Sequence, residues 1–81
     1  MPYVYVLKSS RNGKRYIGST RLQPEDRLKK HNSGANKFTN RNKPFILIYK
    51  EEYATVREAR IREKFLKSGV GRKLLDDKFV S

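Results

Sequence analysis

The sequence predicts an α/β domain of the α+β kind with element order β-β-α-β-α-α, and three observations carry that expectation. Tyr3 to Lys8 (YVYVLK) and Lys14 to Ser19 (KRYIGS) are β-branched and aromatic runs that flank an Asn12-Gly13 pair. Phe45 to Tyr49 (FILIY) is apolar at every position and too short for a helix. Thr55-Val56-Arg57-Glu58 has the form of a capping box at the head of a helical pattern.

In chain order, the first two runs form a hairpin. Asn and Gly tolerate the positive φ that both central residues of a type I′ turn require, so that turn is expected here. Tyr5 and Tyr16 then lie close together. Pro24-Glu25-Asp26 starts a helix, because Pro suits the first helical position and acids favour the positive end of the helix dipole. Gly34 stops it. Residues 35 to 43 (ANKFTNRNK) read as a basic, turn-rich loop, or a loop with one helical turn, facing the ligand. The FILIY run, with Pro44 at its head, reads as a strand buried on both faces and therefore as the centre of the sheet. The helix opened by Thr55 ends with Gly69 as its cap. Gly71 to Asp77 (GRKLLDD) gives a last short helix with Leu74 and Leu75 packed inward.

Composition limits the function. Residues 1–81 suffice for one small domain with a single core. Twenty Lys and Arg against eight Asp and Glu give a formal charge of +12, which repels itself unless a polyanion offsets it. Nucleic acid is the leading partner on charge. The absence of cysteine removes disulfides, thiolate zinc sites and cysteine nucleophiles. No segment approaches the ~20 apolar residues of a membrane span, and no signal-peptide h-region is seen, so a cytoplasmic protein with no membrane role is expected, with association with the nucleoid compatible with its charge.

Five side chains could do chemistry. Arg27 and His31 are four apart and share one helix face. A guanidinium forks onto phosphate oxygens and an imidazole exchanges protons near neutral pH. Glu63 interrupts the apolar stripe of Val56, Ala59 and Leu66, so it needs a cation, either a basic neighbour (Arg60, Lys64 or Lys67) or a divalent metal. Tyr5 and Tyr16 complete the set, whereas Tyr3, Tyr49 and Tyr53 are assigned to packing or surface. Each residue alone has a plain reading: cross-strand packing, a solvated histidine, an ion pair. Only the conjunction is unusual.

With these residues in view, the chain resembles the GIY-YIG nuclease family along nearly its whole length. Tyr16-Ile17-Gly18 is the second name motif verbatim, and Tyr3-Val4-Tyr5 is similar to the first, with Tyr3 where the family has Gly. The stretch Arg27-Leu28-Lys29-Lys30-His31-Asn32 resembles the family's arginine helix, Pro44 to Tyr49 its third strand, and Arg62-Glu63-Lys64 its metal-carboxylate helix. The compact form is similar to small standalone bacterial members, which are compared with the N-terminal nuclease domain of the bacterial excision-repair endonuclease, and this links it to DNA repair. The resemblance implies a three-stranded antiparallel sheet flanked by helices, and a one-metal endonuclease site. Glu63 would be the protein ligand of one Mg²⁺ or Mn²⁺ ion. Tyr5, assisted by His31, would activate water, Arg27 would stabilise the scissile phosphate, and Tyr16 would position water or phosphate. The metal and Arg27 would both favour the Tyr5 phenolate.

Binding is expected at Lys14, Arg15, Arg21, Lys29, Lys30, Lys37 and Arg41, with Arg72 and Lys73 as a flank. DNA is favoured as substrate, RNA remaining open. A monomer is expected, since +12 on so small a chain opposes self-association at low salt. The alternative is a module of the same fold that binds nucleic acid without turnover, or one needing a partner protein for specificity. A basic adaptor for an acidic protein or the ribosome is the other class, and no sequence feature speaks for it.

Overall fold

A three-stranded antiparallel sheet of order β2-β1-β3 is built from β1 (Tyr3–Ser9), β2 (Arg15–Thr20) and β3 (Phe45–Glu52). Helices α1 (Pro24–Asn32), α2 (Val56–Lys67) and α3 (Gly69–Lys78) complete the expected order β-β-α-β-α-α. The structure, a computed structural model, describes residues 1–34 and 41–79, so most of the 35 to 43 loop lies outside the described residues.

The central strand is β1. Val4, Tyr5, Val6 and Leu7 are all buried, whereas Ile46 of β3 is 51% exposed and β3 lies at a sheet edge. This corrects the expectation that Phe45–Tyr49 forms the centre. Both runs are apolar throughout, and an apolar run reports burial without reporting strand order. Successive β1 side chains divide between two cores. Val4 and Val6 join Ile17, Ala59, Leu66 and Leu75 beneath α2 and α3. Tyr5 and Leu7 join Phe45, with Tyr16 and Leu28, on the face that α1 covers.

The Asn12-Gly13 hairpin forms without the expected type I′ turn. Gly13 has φ 76°, and no described residue other than glycine has positive φ. The loop is longer: Ser9 N donates to Lys14 O at 2.8 Å and Gly13 N to Ser9 O at 2.9 Å. The Ser9 hydroxyl accepts from the amides of Arg11 (3.1 Å) and Asn12 (3.2 Å), a local cap that competes with the tighter turn.

Helices α1 and α2 start where expected. Pro24 heads α1 with Glu25 and Asp26 in its first turn, and Gly34 follows its end with φ 89°. Thr55 Oγ1 accepts from Glu58 N at 3.2 Å and donates to the Glu58 carboxylate at 3.1 Å. The α2–α3 junction differs. Ser68, not Gly69, is the cap: its N–H donates to Phe65 O at 3.0 Å, and its hydroxyl accepts from Gly71 N at 3.2 Å. Gly69 is instead the first residue of α3. Leu75 is buried as expected, but Leu74 is 44% exposed, because adjacent helical positions point about 100° apart.

Gly71 makes the junction possible by close approach. A Cβ there would lie 2.1 Å from Phe65 O and 2.5 Å from Leu66 Cα, both backbone atoms that cannot swing aside. Gly71→Ala is expected to destabilise the fold by about 3 kcal/mol, the upper end of overpacking costs. A thermal melt by circular dichroism should show Tm falling by roughly 12–24 °C; an unchanged Tm would mean the junction is not fixed as described. Among the described residues, no helix is long and apolar enough to cross a membrane.

Candidate active site

Tyr5 occupies the central strand directly opposite Gly18, and Tyr16 lies opposite Leu7. Residues 5 and 7 share a face, so the two tyrosines are diagonal neighbours, with ring centroids 6.3 Å apart. Gly18 has a specific task. A Cβ at that position would be 2.6 Å from Tyr5 Oη and 2.7 Å from Cζ, so only glycine lets the Tyr5 ring cross edge strand β2. The phenol thereby reaches the rim of the sheet.

Helix α1 brings His31 onto these rings. Tyr5 Oη and His31 Nε2 are 3.0 Å apart, and the imidazole centroid is 4.6 Å from that of Tyr16. His31 is 1% exposed. Burial, and then the positive charge of Arg27, push its pKa below the ordinary histidine value, so the ring is neutral at pH 7. Arg27, one turn earlier, has a buried Nε with no hydrogen-bond partner. An orphaned buried donor is costly and uncommon, and an anion is the natural acceptor for it.

Burial also sets Tyr5. It pushes the phenol pKa up; a hydrogen bond from Arg27 pulls it down, Tyr16 raises it again, and the Arg27 and Glu63 charges act in opposite directions. The net shift is upward. The expectation that Arg27 favours the phenolate holds in direction, since its hydrogen bond and its charge both lower the Tyr5 pKa, but that pull is smaller than the desolvation of a buried phenol.

Glu63 approaches the same edge from the other side of the sheet. Its carboxylate accepts from Ser19 Oγ at 2.7 Å and from Lys67 Nζ at 2.7 Å. Ser19 follows Gly18 in β2, so the carboxylate is anchored next to the residue over which Tyr5 passes. Burial pushes the Glu63 pKa up, but Lys67 and Ser19, with Arg60 adding, hold it below the ordinary carboxylate value. The basic neighbour that the sequence asked for is Lys67. Helix α2 is pinned on its other flank, where Arg62 bonds both oxygens of Glu51 at 3.0 and 3.2 Å. Tyr49 and Tyr53 donate to the same carboxylate. These tyrosines pack, as expected, and fix the helix that carries Glu63.

The donor set suits a hard divalent cation. Among the described residues no three His, Cys, Asp or Glu side chains cluster, so an ion at Glu63 would have at most two protein ligands of these kinds. Mg²⁺ accepts that arrangement because it keeps several of its waters. An ionised carboxylate offers about four lone-pair sites, and Ser19 and Lys67 use only part of that capacity.

Beside the site, an open groove of about 760 Å³ runs between the start of β2 and α3, lined by Lys14, Arg15, Tyr16, Lys67 and Arg72 among others. It gathers three of the expected binding residues. Arg15 also pairs with Asp76. Arg21 lines a separate, smaller groove with Arg60. Lys29, Lys30, Arg41 and Lys73 are exposed outside both grooves, and Lys37 lies outside the described residues.

Comparison with known proteins decides the family. The model of the GIY-YIG catalytic domain matches residues 1–75. The chain belongs to the GIY-YIG family. Its relatives include a UPF0213 protein of Clostridium perfringens, 40% identical over 68 residues, covering 83% of this chain and 71% of that protein. Another UPF0213 protein, of Staphylococcus haemolyticus, is 36% identical over 67 residues, covering 82% of this chain and 79% of that protein. No solved structure gives a significant match. The GIY-YIG fold, a three-stranded antiparallel sheet with flanking helices, is the one described above, and the family is one of nuclease-type enzymes. Where the family motif begins with Gly, Tyr3 here stands at the strand end, with its hydroxyl on Glu52 at 3.0 Å.

Two site residues escaped the sequence reading. Ser19 anchors Glu63, and its only signal was adjacency to the YIG motif. Gly18 was read as part of a motif, while its physical reason is the Tyr5 ring lying across it.

Proposed function

We propose that this chain is a divalent-metal-dependent endonuclease that hydrolyses phosphodiester bonds in nucleic acid, DNA in the first place, with one site per chain. The observation that carries the reading is the buried Tyr5–His31 hydrogen bond, set beside the orphaned Arg27 Nε–H and within electrostatic reach of Glu63. Phosphoryl transfer asks for a proton acceptor, a donor for phosphate oxygens and a positive charge for the leaving oxygen; the Tyr5–His31 pair and Arg27 supply the first two, and Glu63 would hold the ion that supplies the third.

Neutral His31 accepts the Tyr5 proton at Nε2 while Tyr5 Oη takes a proton from the attacking water. The raised Tyr5 pKa favours this relay over a standing phenolate. The oxygen of that water bonds to phosphorus as the P–O3′ bond breaks, the water's proton equivalent ends on His31, and the departing 3′-oxygen takes a proton from solvent to leave as the 3′-hydroxyl. Arg27 donates to a phosphate oxygen, and Tyr16 orients the phosphate or the water. A divalent ion held by Glu63 would supply positive charge beside the leaving 3′-oxygen. Lys14, Arg15 and Arg72 hold the backbone on either side of the break. Phosphate contacts carry no sequence information, so specificity rests on substrate shape or on a partner protein. A small basic monomer in the cytoplasm would cut one strand per encounter.

The test is cleavage of labelled duplex, flap, branched and single-stranded DNA and RNA in Mg²⁺ or Mn²⁺. Products that need the metal support the reading. Tight binding without products under every condition would favour the non-catalytic module.

The relay also fixes a pH dependence. His31 must be neutral, and its lowered pKa keeps it so until the pH falls below the ordinary histidine value of about 6.5. The rate should therefore fall on the acid side with a midpoint below about 6.5 in kcat/KM against pH. Stability moves the same way: between about 6.5 and the lower folded value the unfolded chain binds the proton first, so stability declines as pH drops through that window. A midpoint above the ordinary value would exclude buried His31 as the acceptor.

A further inference from the structure

Lys67 stands where two grooves meet. One lies along α2 and is lined by Arg60, Glu63, Lys64 and Lys67. The other is the large basic groove that also holds Lys14 and Arg72. Among the described residues, Lys67 lines both. Its Nζ donates to Glu63 Oε2 at 2.7 Å, one helical turn away, while Ser19 holds Oε1. The Lys67 side chain is 51% exposed and that of Glu63 is 21% exposed, so solvent screens the pair from the lysine side. An i,i+4 pair of this kind favours its bonded state by only about twofold in equilibrium constant. Lys67 is thus held weakly, on a flexible four-carbon stem, with groove available on either side.

We propose that Lys67 is a displaceable counter-cation. It neutralises Glu63 when no divalent ion is there, and turns into the basic groove to contact a nucleic-acid phosphate when one is. The proposal rests on the reading of Glu63 as metal ligand. It has two consequences. The ammonium and the divalent ion compete for one carboxylate, so Lys67 weakens metal binding in the free protein. The freed ammonium adds a phosphate contact, so metal and nucleic acid each strengthen the other's binding, and by thermodynamic linkage the two effects are equal. A metal-loaded site would then hold nucleic acid in preference to an empty one.

The first measurement is calorimetric titration with Mn²⁺ alone of the wild type, Lys67→Met, Lys67→Arg and Glu63→Gln. Lys67→Met should bind Mn²⁺ about two- to tenfold more tightly than wild type, through loss of the competing charge, and Lys67→Arg should remain near wild type. The second measurement is the salt dependence of binding to a short phosphorothioate duplex, in Mn²⁺ and in EDTA. The change in log–log slope between the two media should exceed that of Lys67→Met by about 0.9, the value for one phosphate. Equal or weaker Mn²⁺ affinity in Lys67→Met, with binding lost in Glu63→Gln, would overturn competition while leaving Glu63 as the metal ligand. Tighter Mn²⁺ binding with identical slope changes would overturn release into the groove. Absence of Mn²⁺ binding in wild type would overturn both this proposal and the metal reading beneath it.

Discussion

Glu63→Ala is expected to lower cleavage by at least about a hundredfold to a thousandfold, the loss typical when a preorganised charge is taken from a developing oxyanion. Binding should survive. Removing one carboxylate raises the formal charge from +12 to +13, and phosphate contacts provide most of the affinity of a basic protein for nucleic acid. The Kd for duplex DNA, read by fluorescence anisotropy in EDTA, should therefore stay within about twofold or tighten. Folding should survive as well. The variant loses the Ser19 hydrogen bond and a half-exposed pair with Lys67, and exposed pairs contribute roughly 0.3–0.5 kcal/mol in helices. Alanine is in addition the better helix former. A melt near that of the wild type, together with lost cleavage and intact binding, assigns the loss to chemistry. Full cleavage by Glu63→Ala would exclude a one-metal scheme through this carboxylate.

Much of this site could be read in the sequence because its parts obey local rules. The alternation of β1 places Tyr5 on one face, the hairpin carries Tyr16 to the same face, and the four-residue spacing stacks Arg27 on His31. Glu63 announced itself by breaking an apolar stripe, and the demanded cation is present as Lys67. What stayed hidden depends on contacts between elements distant in sequence. YVYVL and FILIY are equally apolar, so nothing local distinguishes the central strand from the edge strand. The turn at Asn12-Gly13 is decided by the Ser9 hydroxyl, which offers the loop amides another acceptor. Gly71 reads only as the first residue of the last short helix until α2 and α3 are seen to cross within contact of its Cα. The electrostatic balance at Tyr5 also needed depth: Arg27 could be placed nearby from spacing, but how far burial opposes it depends on packing beneath α1.

Tyr5→Phe is expected to lower kcat by about a hundredfold to ten-thousandfold, the range for losing a positioned proton-transfer group. The substitution deletes one oxygen and leaves the ring over Gly18, so the sheet edge and the groove keep their shape. Affinity for duplex DNA should change by less than about twofold, since Lys14, Arg15 and Arg72 carry the phosphate contacts in the proposed mode. Stability should fall by about 1–3 kcal/mol, because a buried hydrogen bond to His31 is removed on one side only. At 25 °C this leaves a folded fraction large enough for assay in any domain of ordinary stability, so the kinetic loss can be separated from unfolding by measuring kcat well below Tm. The pH profile makes the test specific. If the proton passes through Tyr5 to His31, the residual activity of Tyr5→Phe should lose the acid limb that His31 imposes on the wild type, and approach a first-order rise with hydroxide. If the acid limb persists with kcat little changed, His31 takes the water's proton directly, and Tyr5 serves to hold the imidazole in place.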